Sequence, residues 1–408
     1  VYFFFRQLKD ELHRGVLPSQ GALFALDYRR LRALLVIFLL FLYGQPVTRF
    51  FWMLDKVFFP GYRKQTILEP TFIVGNFRSG TSLVQRLLAR DRATFTTLST
   101  FDIYVAPTIS QRKLARALGG VDRLLGAPVT RLIRRIDARF LQTIPHHPIH
   151  LFGPEEDVGL LLYPWACFFT WFVFPQRDAP PRLSAFDHEV PAHARRRIMH
   201  FYADALRRHL YDLRSRGKIP HGSRVRILSK NPSFTPMIGS LSEYFPDSKF
   251  IYLYRDPEAT LASTMRWFSI WFGLLGTNPG PGAYLESMMK MLERWYRRPL
   301  SVLPHLPEER WQVIRYGDFV LDKEDTVRKL YHRLDLSPVG PAGVNLGRAV
   351  REEDGAHRSR PAHDPEVFGA SRQEIDARYA HLIQQLDRLR YSKRNSRTER
   401  NYGVYRIS

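Results

Sequence analysis

Short apolar runs alternate along this chain with segments whose apolar residues return every three or four positions. "TFIVGN" (Thr71–Asn76), "VRILSKNP" (Val225–Pro232), "KFIYLYRDP" (Lys249–Pro257) and "RWQVIRYGDF" (Arg310–Phe319) read as strands. "ARRRIMHFYADALRRHLYDLRSR" (Ala194–Arg216) and "DTVRKLYHRLDL" (Asp325–Leu336) read as amphipathic helices. Leu83, Leu87 and Leu88 give the same helical spacing just after the first strand. The strands lack a clear apolar–polar alternation, as expected when both faces are covered. The pattern therefore predicts an α/β fold: three layers, α/β/α, around a central and mainly parallel sheet. In such sheets ligands bind beyond the carboxyl ends of the strands. Those ends place Gly75–Ser82, Lys230, Arg255 and Tyr316 in one candidate site.

Residues 1–65 follow another pattern and form an N-terminal helical, apolar extension. "ALLVIFLLFLY" (Ala33–Tyr43) is unbroken apolar sequence, with "DYRRLR" before it and a cluster of Phe50, Phe51, Trp52, Phe58 and Phe59 after it. Eleven residues fall short of the roughly 20 that span a bilayer. Gly44, Gln45, Pro46 and Arg49 are expected to interrupt any extension. A buried helix, an interfacial membrane helix and a short tilted span all fit; the basic flank and aromatic cluster suit the interfacial one. Residues 66–390 then form the main domain, and 391–408 a basic, weakly patterned surface tail.

Composition adds one strong signal, a formal net charge of +22. Anionic partners are implied: a small anionic substrate, an acidic membrane surface or nucleic acid. The basic residues are spread over many helices without the aromatic interleaving of a base-stacking surface, which argues against nucleic acid. The single cysteine, Cys167, lies in the apolar run "YPWACFFTW", and the chain has no glycosylation sequon. A reducing, cytoplasmic setting follows as the expectation, with a peripheral position at the cytoplasmic membrane face.

The chemistry begins at "VGNFRSGTSL" (Val74–Leu83). Glycines after a strand let successive N–H groups converge on an anion at a helix N-terminus. A nucleotide triphosphatase needs a lysine here to reach the β- and γ-phosphates, yet Thr81 occupies that place and the basic residue is Arg78. A kinase or triphosphatase is disfavoured. In "YLYRDPEATLAS", Arg255 ends a strand, Asp256 and Pro257 suit a helix start, and Ser263 falls in the second turn. An arginine fork and a hydroxyl there suit a second phosphate.

These two segments resemble the sulfotransferases that use 3′-phosphoadenosine 5′-phosphosulfate (PAPS), in their bacterial-type branch. Arg78-Ser79-Gly80-Thr81-Ser82 matches the family's [KR]-S-G-T-[TS] loop, and Arg255 with Ser263 matches its 3′-phosphate motif. "VIRYGDF" and "FGAS" (Phe368–Ser371) are similar to later landmarks of that branch. The resemblance implies a P-loop sulfotransferase fold and sulfuryl transfer from PAPS to a hydroxyl or amine, without a metal. It also implies roles. Arg78 would contact the bridging and sulfuryl oxygens. The loop with Thr81 and Ser82 would hold the 5′-phosphate, Arg255 and Ser263 the 3′-phosphate. Lys230 would stabilise the sulfuryl transition state.

The chain departs from the cytosolic members in three places. Pro232 stands where their catalytic histidine falls, Leu83 replaces an adenine-stacking aromatic, and their C-terminal R-K-G-x-x-G-D-W-K element is missing. The basic "HRSR" (His357–Arg360) is a loose substitute for that element. For the base, "GPEED" offers Glu155 and Glu156; Glu156 matches the second Glu of the E-E pair in the tyrosylprotein branch. The same acidic residues equally suit the first turn of a helix beginning at Pro154, where they would act only as caps. His150 is a secondary candidate for base or acceptor contact. His146, His147 and His150 invite a metal reading that Pro145 and Pro148 work against. The aromatic runs Tyr163–Pro175 and Met265–Gly276 suit core packing, and also an apolar acceptor such as a lipid or glycolipid.

Overall fold

The computed structural model describes residues 28–142, 150–173, 182–220, 222–276, 282–336, 342–356 and 365–391. Five parallel strands form one sheet: β1 (Thr71–Gly75), β2 (Phe95–Thr96), β3 (Arg226–Lys230), β4 (Lys249–Tyr254) and β5 (Trp311–Arg315). Their order is β2-β3-β1-β4-β5, with Thr71 in register with Leu228 on one side and Lys249 on the other. β1 is thus central, and the strand order reverses across it. The four expected strands are present. β2 is added at the edge, too short at two residues to leave a period.

The ten helices of eight residues or more among the described residues are α1 (Tyr28–Phe58), α2 (Thr81–Leu88), α3 (Ile109–Leu124), α4 (Pro128–Ile136), α5 (Ala192–Ser215), α6 (Pro257–Leu274), α7 (Leu285–Val302), α8 (Lys323–Arg333), α9 (Ala342–Ala356) and α10 (Arg372–Arg390). Continuous apolar strands serve two cores at once. Phe72, Val74, Ile227, Phe250, Tyr252 and Val313 face a large cluster with α5, α6, α7 and α10. The intervening Ile73, Leu228, Ile251, Leu253 and Ile314 face a smaller one with α2, α8 and α9. Successive strand side chains point to opposite faces, so unbroken apolar sequence is what a twice-covered strand requires.

The aromatic runs are mostly core. Phe168, Trp171, Phe172, Trp267, Phe268 and Phe272 are buried, and Phe77 wedges its ring 5.4 Å from Phe168, 5.2 Å from Trp267 and 5.1 Å from Trp295. Burying such a ring contributes about 1.5–3 kcal/mol, and here it anchors the residue just before Arg78.

Two expectations are corrected. Pro46 does not end the N-terminal helix: α1 runs unbroken for 31 residues with Pro46 inside. An interior proline costs about 3 kcal/mol, but tertiary docking holds the part beyond it. Thr48 and Asp55 are buried, Trp52 lies 5.1 Å from Tyr163 and 5.0 Å from Phe201, and Gln45 Nε2 donates to the Leu162 carbonyl at 3.5 Å. Nor is α1 a buried helix, since only 7% of its most apolar window is covered. The second correction concerns "GPEED". Pro154 bridges to Ser99 in extended geometry, Glu156 is extended, and a tight turn of helix begins only at Asp157. Glu155 and Glu156 are therefore not first-turn helix residues. The chain here is held by its pairing to Ser99 rather than by a helix.

Candidate active site

The turn after β1 is fixed from several sides. Gly75 has φ +152°, and a Cβ there would lie 2.2 Å from the Leu253 carbonyl oxygen. Thr235 clamps the same residue, its Oγ1 accepting from Gly75 N–H at 2.8 Å and donating to Gly75 C=O at 2.8 Å. Ser79 Oγ donates to the Asn76 carbonyl at 2.6 Å, so this side chain closes the turn. Gly80, left-handed at φ +91°, precedes α2; a Cβ there would meet the Tyr316 ring at 2.4 Å. The first N–H groups of α2, at Thr81 and Ser82, follow immediately. Helix N-termini of this kind present N–H groups to anions.

Arg78 is left-handed as well, at φ +64°, and this backbone directs it toward α6. Its Nε donates to Ser263 Oγ at 3.0 Å, joining the two phosphate-type segments. Arg255 NH1 reaches the Arg78 carbonyl at 3.4 Å while its guanidinium lies 4.8 Å from the Tyr316 ring centroid. Asp256 caps α6 by accepting from Ala259 N–H at 3.0 Å, with Pro257 at the first helical position. Burial, and then the charge of Arg255, pull Arg78 below the ordinary guanidinium range; Tyr316 and Glu156 act the other way. Two guanidiniums held together against their repulsion fit a multiply charged anion.

Across the β1 turn, at the end of β3, Lys230 and Glu156 are both buried, and Lys230 Nζ donates to Glu156 Oε1 at 2.5 Å. No hydrogen bond engages Glu156 Oε2 among the described residues. Glu155 turns back on its own segment: Oε1 accepts from Glu156 N–H at 2.9 Å and Oε2 from Thr100 Oγ1 at 3.3 Å. His150 is exposed, its carbonyl accepting from Thr100 Oγ1 at 3.0 Å, and its imidazole makes no hydrogen bond to Glu156 or Lys230. His146, His147 and His357–Arg360 lie outside the described residues. Among the described residues no group of His, Cys, Asp and Glu is arranged to hold a metal. Leu83 packs into the smaller core.

The sequence did not single out what holds Glu156. Asp157 is fully enclosed and accepts from Tyr202 Oη, from Ser229 Oγ at 2.8 Å and from Asn231 Nδ2. Asn231 Oδ1 accepts from Val158 N–H at 3.2 Å. This network ties the Glu156 segment to the end of β3, where Lys230 sits. Burial pushes the Asp157 carboxyl up to about 6 although its three donors pull it down. The only trace in the sequence is an acidic residue at the head of the apolar run "DVGLLL". Beside this network lie apolar surface residues: Phe152 is 69% exposed with its ring 5.4 Å from Phe101, and Val105 and Tyr104 are also exposed. The Tyr104 hydroxyl reaches under Gly159, where any Cβ would collide with it.

A glycine turn leading into a helix N-terminus, two converging arginines and a buried Lys–Glu pair thus gather at the carboxyl edge of a parallel sheet. A family model described as "Sulfotransferase family" matches residues 70–339, and the chain belongs to that family. It is 25% identical over 299 residues to the omega-hydroxy-beta-dihydromenaquinone-9 sulfotransferase Stf3 of Mycobacterium bovis, and equally to that of Mycobacterium tuberculosis; the matches cover 69% of this chain and 67% of each relative. Among solved structures, sulfotransferase STF9 from Mycobacterium avium superposes with a TM-score of 0.62 at 18% identity, covering 82% of this chain and 80% of that one. Sulfotransferase STF1 from Mycobacterium tuberculosis H37Rv does so at 0.58 and 18%, covering 84% of each. At these identities the superpositions speak to the fold. The protein is a sulfotransferase of the bacterial type.

Proposed function

We propose that the chain transfers the sulfuryl group of PAPS to the hydroxyl of an apolar acceptor, by in-line displacement with Glu156 as base. The Arg78–Ser263 hydrogen bond carries this reading: it joins a 5′-type loop to a 3′-type motif, as a cosubstrate with phosphate at both positions requires. Bound PAPS supplies the activated sulfuryl group. The loop from Arg78 to Ser82 holds its 5′-phosphate end, Ser79 through the shape of the turn. Arg255 and Ser263 hold the 3′-phosphate. Glu156 Oε2 takes the proton of the acceptor hydroxyl while Oε1 stays on Lys230, which fixes the carboxylate's direction. Lys230 and Arg78 offset the negative charge that builds on the oxygen leaving sulfur. Glu155 positions Glu156 through its backbone N–H.

The acceptor reading rests on Phe152, Val105 and Tyr104 beside the base segment, and on a relative named for sulfating a hydroxylated menaquinone. Residues 1–65 act as an attachment element, 66–390 as the transferase domain and 391–408 as a tail, with the protein peripheral at the cytoplasmic membrane face. Thermal unfolding tests the cosubstrate. Stabilisation by 3′,5′-adenosine bisphosphate, indifferent to magnesium, is expected, because a ligand of the folded state raises Tm by mass action. Stabilisation by ATP with magnesium alone would overturn the assignment.

A further inference from the structure

Helices α3 and α4 form a hairpin whose apolar side chains face away from the protein. Leu114, Leu118, Val121 and Leu125 recur on one helical face and are 47%, 60%, 55% and 71% exposed. On α4, Val129, Leu132, Ile133 and Ile136 repeat the pattern, and no residue of that helix is buried. The hairpin is nonetheless firmly built. Asp122 accepts from Val129 N–H at 2.9 Å, Thr130 N–H at 2.9 Å and Thr130 Oγ1 at 2.6 Å, locking the turn between the helices. Arg116 donates twice to Asp212 of α5, at 3.1 and 2.7 Å, and Asp55 of α1 accepts from Ile109 and Ser110 N–H at the start of α3. An ordered helix pair with two unpartnered apolar stripes is a surface made to be covered.

Charge identifies the cover. Asp122 is the only carboxylate between Ile109 and Ile136 and it is buried, whereas Lys113, Arg123, Arg131, Arg134 and Arg135 are exposed. A second copy of this chain would oppose like charge to like charge. Anionic phospholipid would not, and apolar stripes bordered by arginine are what an in-plane membrane helix presents. The outer face of α1 continues the surface with exposed Leu35, Phe38, Phe50 and Met53. By length and composition α1 is long and apolar enough to cross a membrane, contrary to the eleven-residue expectation, but both its ends are docked on the domain, Arg30 on the Val173 carbonyl and Asp55 on Arg208.

We propose that the α3–α4 hairpin, with the outer face of α1, seats the enzyme in the plane of an anionic phospholipid surface. Resting on the apolar-acceptor reading above, this platform also delivers the acceptor. The turn after α4 is bonded to the base segment through Asp137, which accepts from Leu151 N–H at 3.1 Å, and α3 pairs Arg112 with Asp102 at 3.3 Å. Phe152 and Val105 thus stand where the platform meets the site.

The test is flotation of the full chain with vesicles of phosphatidylcholine alone or mixed with phosphatidylglycerol, at low and high salt. Binding to the mixed vesicles is expected, weakened by salt. Leu118→Asp with Leu132→Asp should reduce it at least about tenfold, and Arg131→Gln, Arg134→Gln and Arg135→Gln about fivefold for each residue changed. Undiminished flotation in both variants, equal partition onto pure phosphatidylcholine, or a dimer in light scattering that Leu118→Asp dissolves would each overturn the proposal. The bisphosphate-induced Tm shift, measured on the same samples, reports the cosubstrate site separately. Its persistence in a variant that no longer floats supports the platform. Its absence in a wild-type chain that floats as expected leaves the platform standing and removes the transfer reading alone.

Discussion

The two flanks of the sheet's carboxyl edge are built by opposite means. The flank proposed to hold the cosubstrate is assembled from local turns: Gly75 to Ser82 after β1, and Arg255 to Ser263 after β4, meet because their strands are neighbours. The flank proposed to face the acceptor is assembled from distant pieces. Glu156 meets Lys230, and Asp157 meets Tyr202, Ser229 and Asn231 across at least 45 residues. It joins an extended segment and a tight turn, at Glu156 and Asp157, to the end of β3 and to α5. A local site tolerates change in the rest of the molecule, whereas a site made of remote contacts is tuned by them. Substitutions should therefore separate the flanks, one set moving nucleotide affinity and the other moving turnover and pH response.

The largest separation is expected from Glu156→Gln. The amide keeps the shape and can still accept from Lys230 but takes no proton, so turnover should fall by about 10²–10⁴. The bisphosphate Tm shift should stay. Full turnover would remove Glu156 as base, and a lost Tm shift would mean that the flanks are not separable.

The pH response is next. Asp157 and His209 are both buried; Asp157 belongs to the Glu156 segment, and His209 of α5 lies between Thr96 Oγ1 at 3.0 Å and Arg112 at 3.3 Å. Burial, aided by Arg112, lowers the imidazole to about 4, while burial raises Asp157 to about 6. The signs oppose. His209 contributes stability that is present above its unfolded value of about 6.5 and is lost as pH falls toward about 4. Asp157 contributes stability that is present below about 3.9 and is lost as pH rises through about 6. Each displacement is worth roughly 3 kcal/mol. Urea unfolding between about pH 4 and 6 should then tilt in opposite directions relative to the parent. Asp157→Asn should grow more stable with rising pH, and His209→Gln less. Parallel slopes in all three proteins would show that neither carries the response.

How much could be read in advance follows the same division. The four longer strands, the loop, Arg255, Ser263 and the capped start of α6 each leave a contiguous trace, because a turn or cap is chosen by the few residues that make it. Lys230 could be placed from its strand end alone. Glu156 could be placed only by likeness, and its supposed helix was wrong because the competing Ser99 pairing lies 55 residues away from Pro154 in the chain. Asp157, Tyr202 and Asn231 look like ordinary core-edge residues until they meet. Pro46 misled for the same reason: what holds α1 together beyond it is the docking of Trp52 and Asp55, which no local rule contains.

On the cosubstrate flank, Arg255→Ala should weaken bisphosphate binding about ten- to a hundredfold. That matches the roughly 1.5–3 kcal/mol of a hydrogen bond to a charged group. The truncation also frees the Tyr316 ring that Gly80 packs against, so some of the loss will come from the loop. Arg255→Lys tells the two apart: it restores charge without the planar fork. Recovery of most of the affinity would assign the loss to charge, and little recovery to the fork and its stacking. Unchanged affinity in Arg255→Ala would remove it from the site.

The smallest effect is also the one that probes the joint between the two phosphate segments. Ser263 Oγ accepts from Arg78 Nε and keeps its own proton to donate. A hydroxyl polarised by a guanidinium is a better donor to phosphate than a lone serine. Ser263→Ala removes one such bond from a neutral donor, so bisphosphate affinity should fall about tenfold, the lower end of the roughly 1.5–3 kcal/mol of a hydrogen bond to a charged group. Ser263→Thr should retain it. Adenosine 5′-phosphate, lacking the 3′ group, gives the sharper reading. If Ser263 acts only on the 3′-phosphate, its loss should leave that ligand's affinity unchanged. If it also holds Arg78 in place for the 5′ end, both ligands should weaken together, and the two segments would then be one site in energy as well as in geometry.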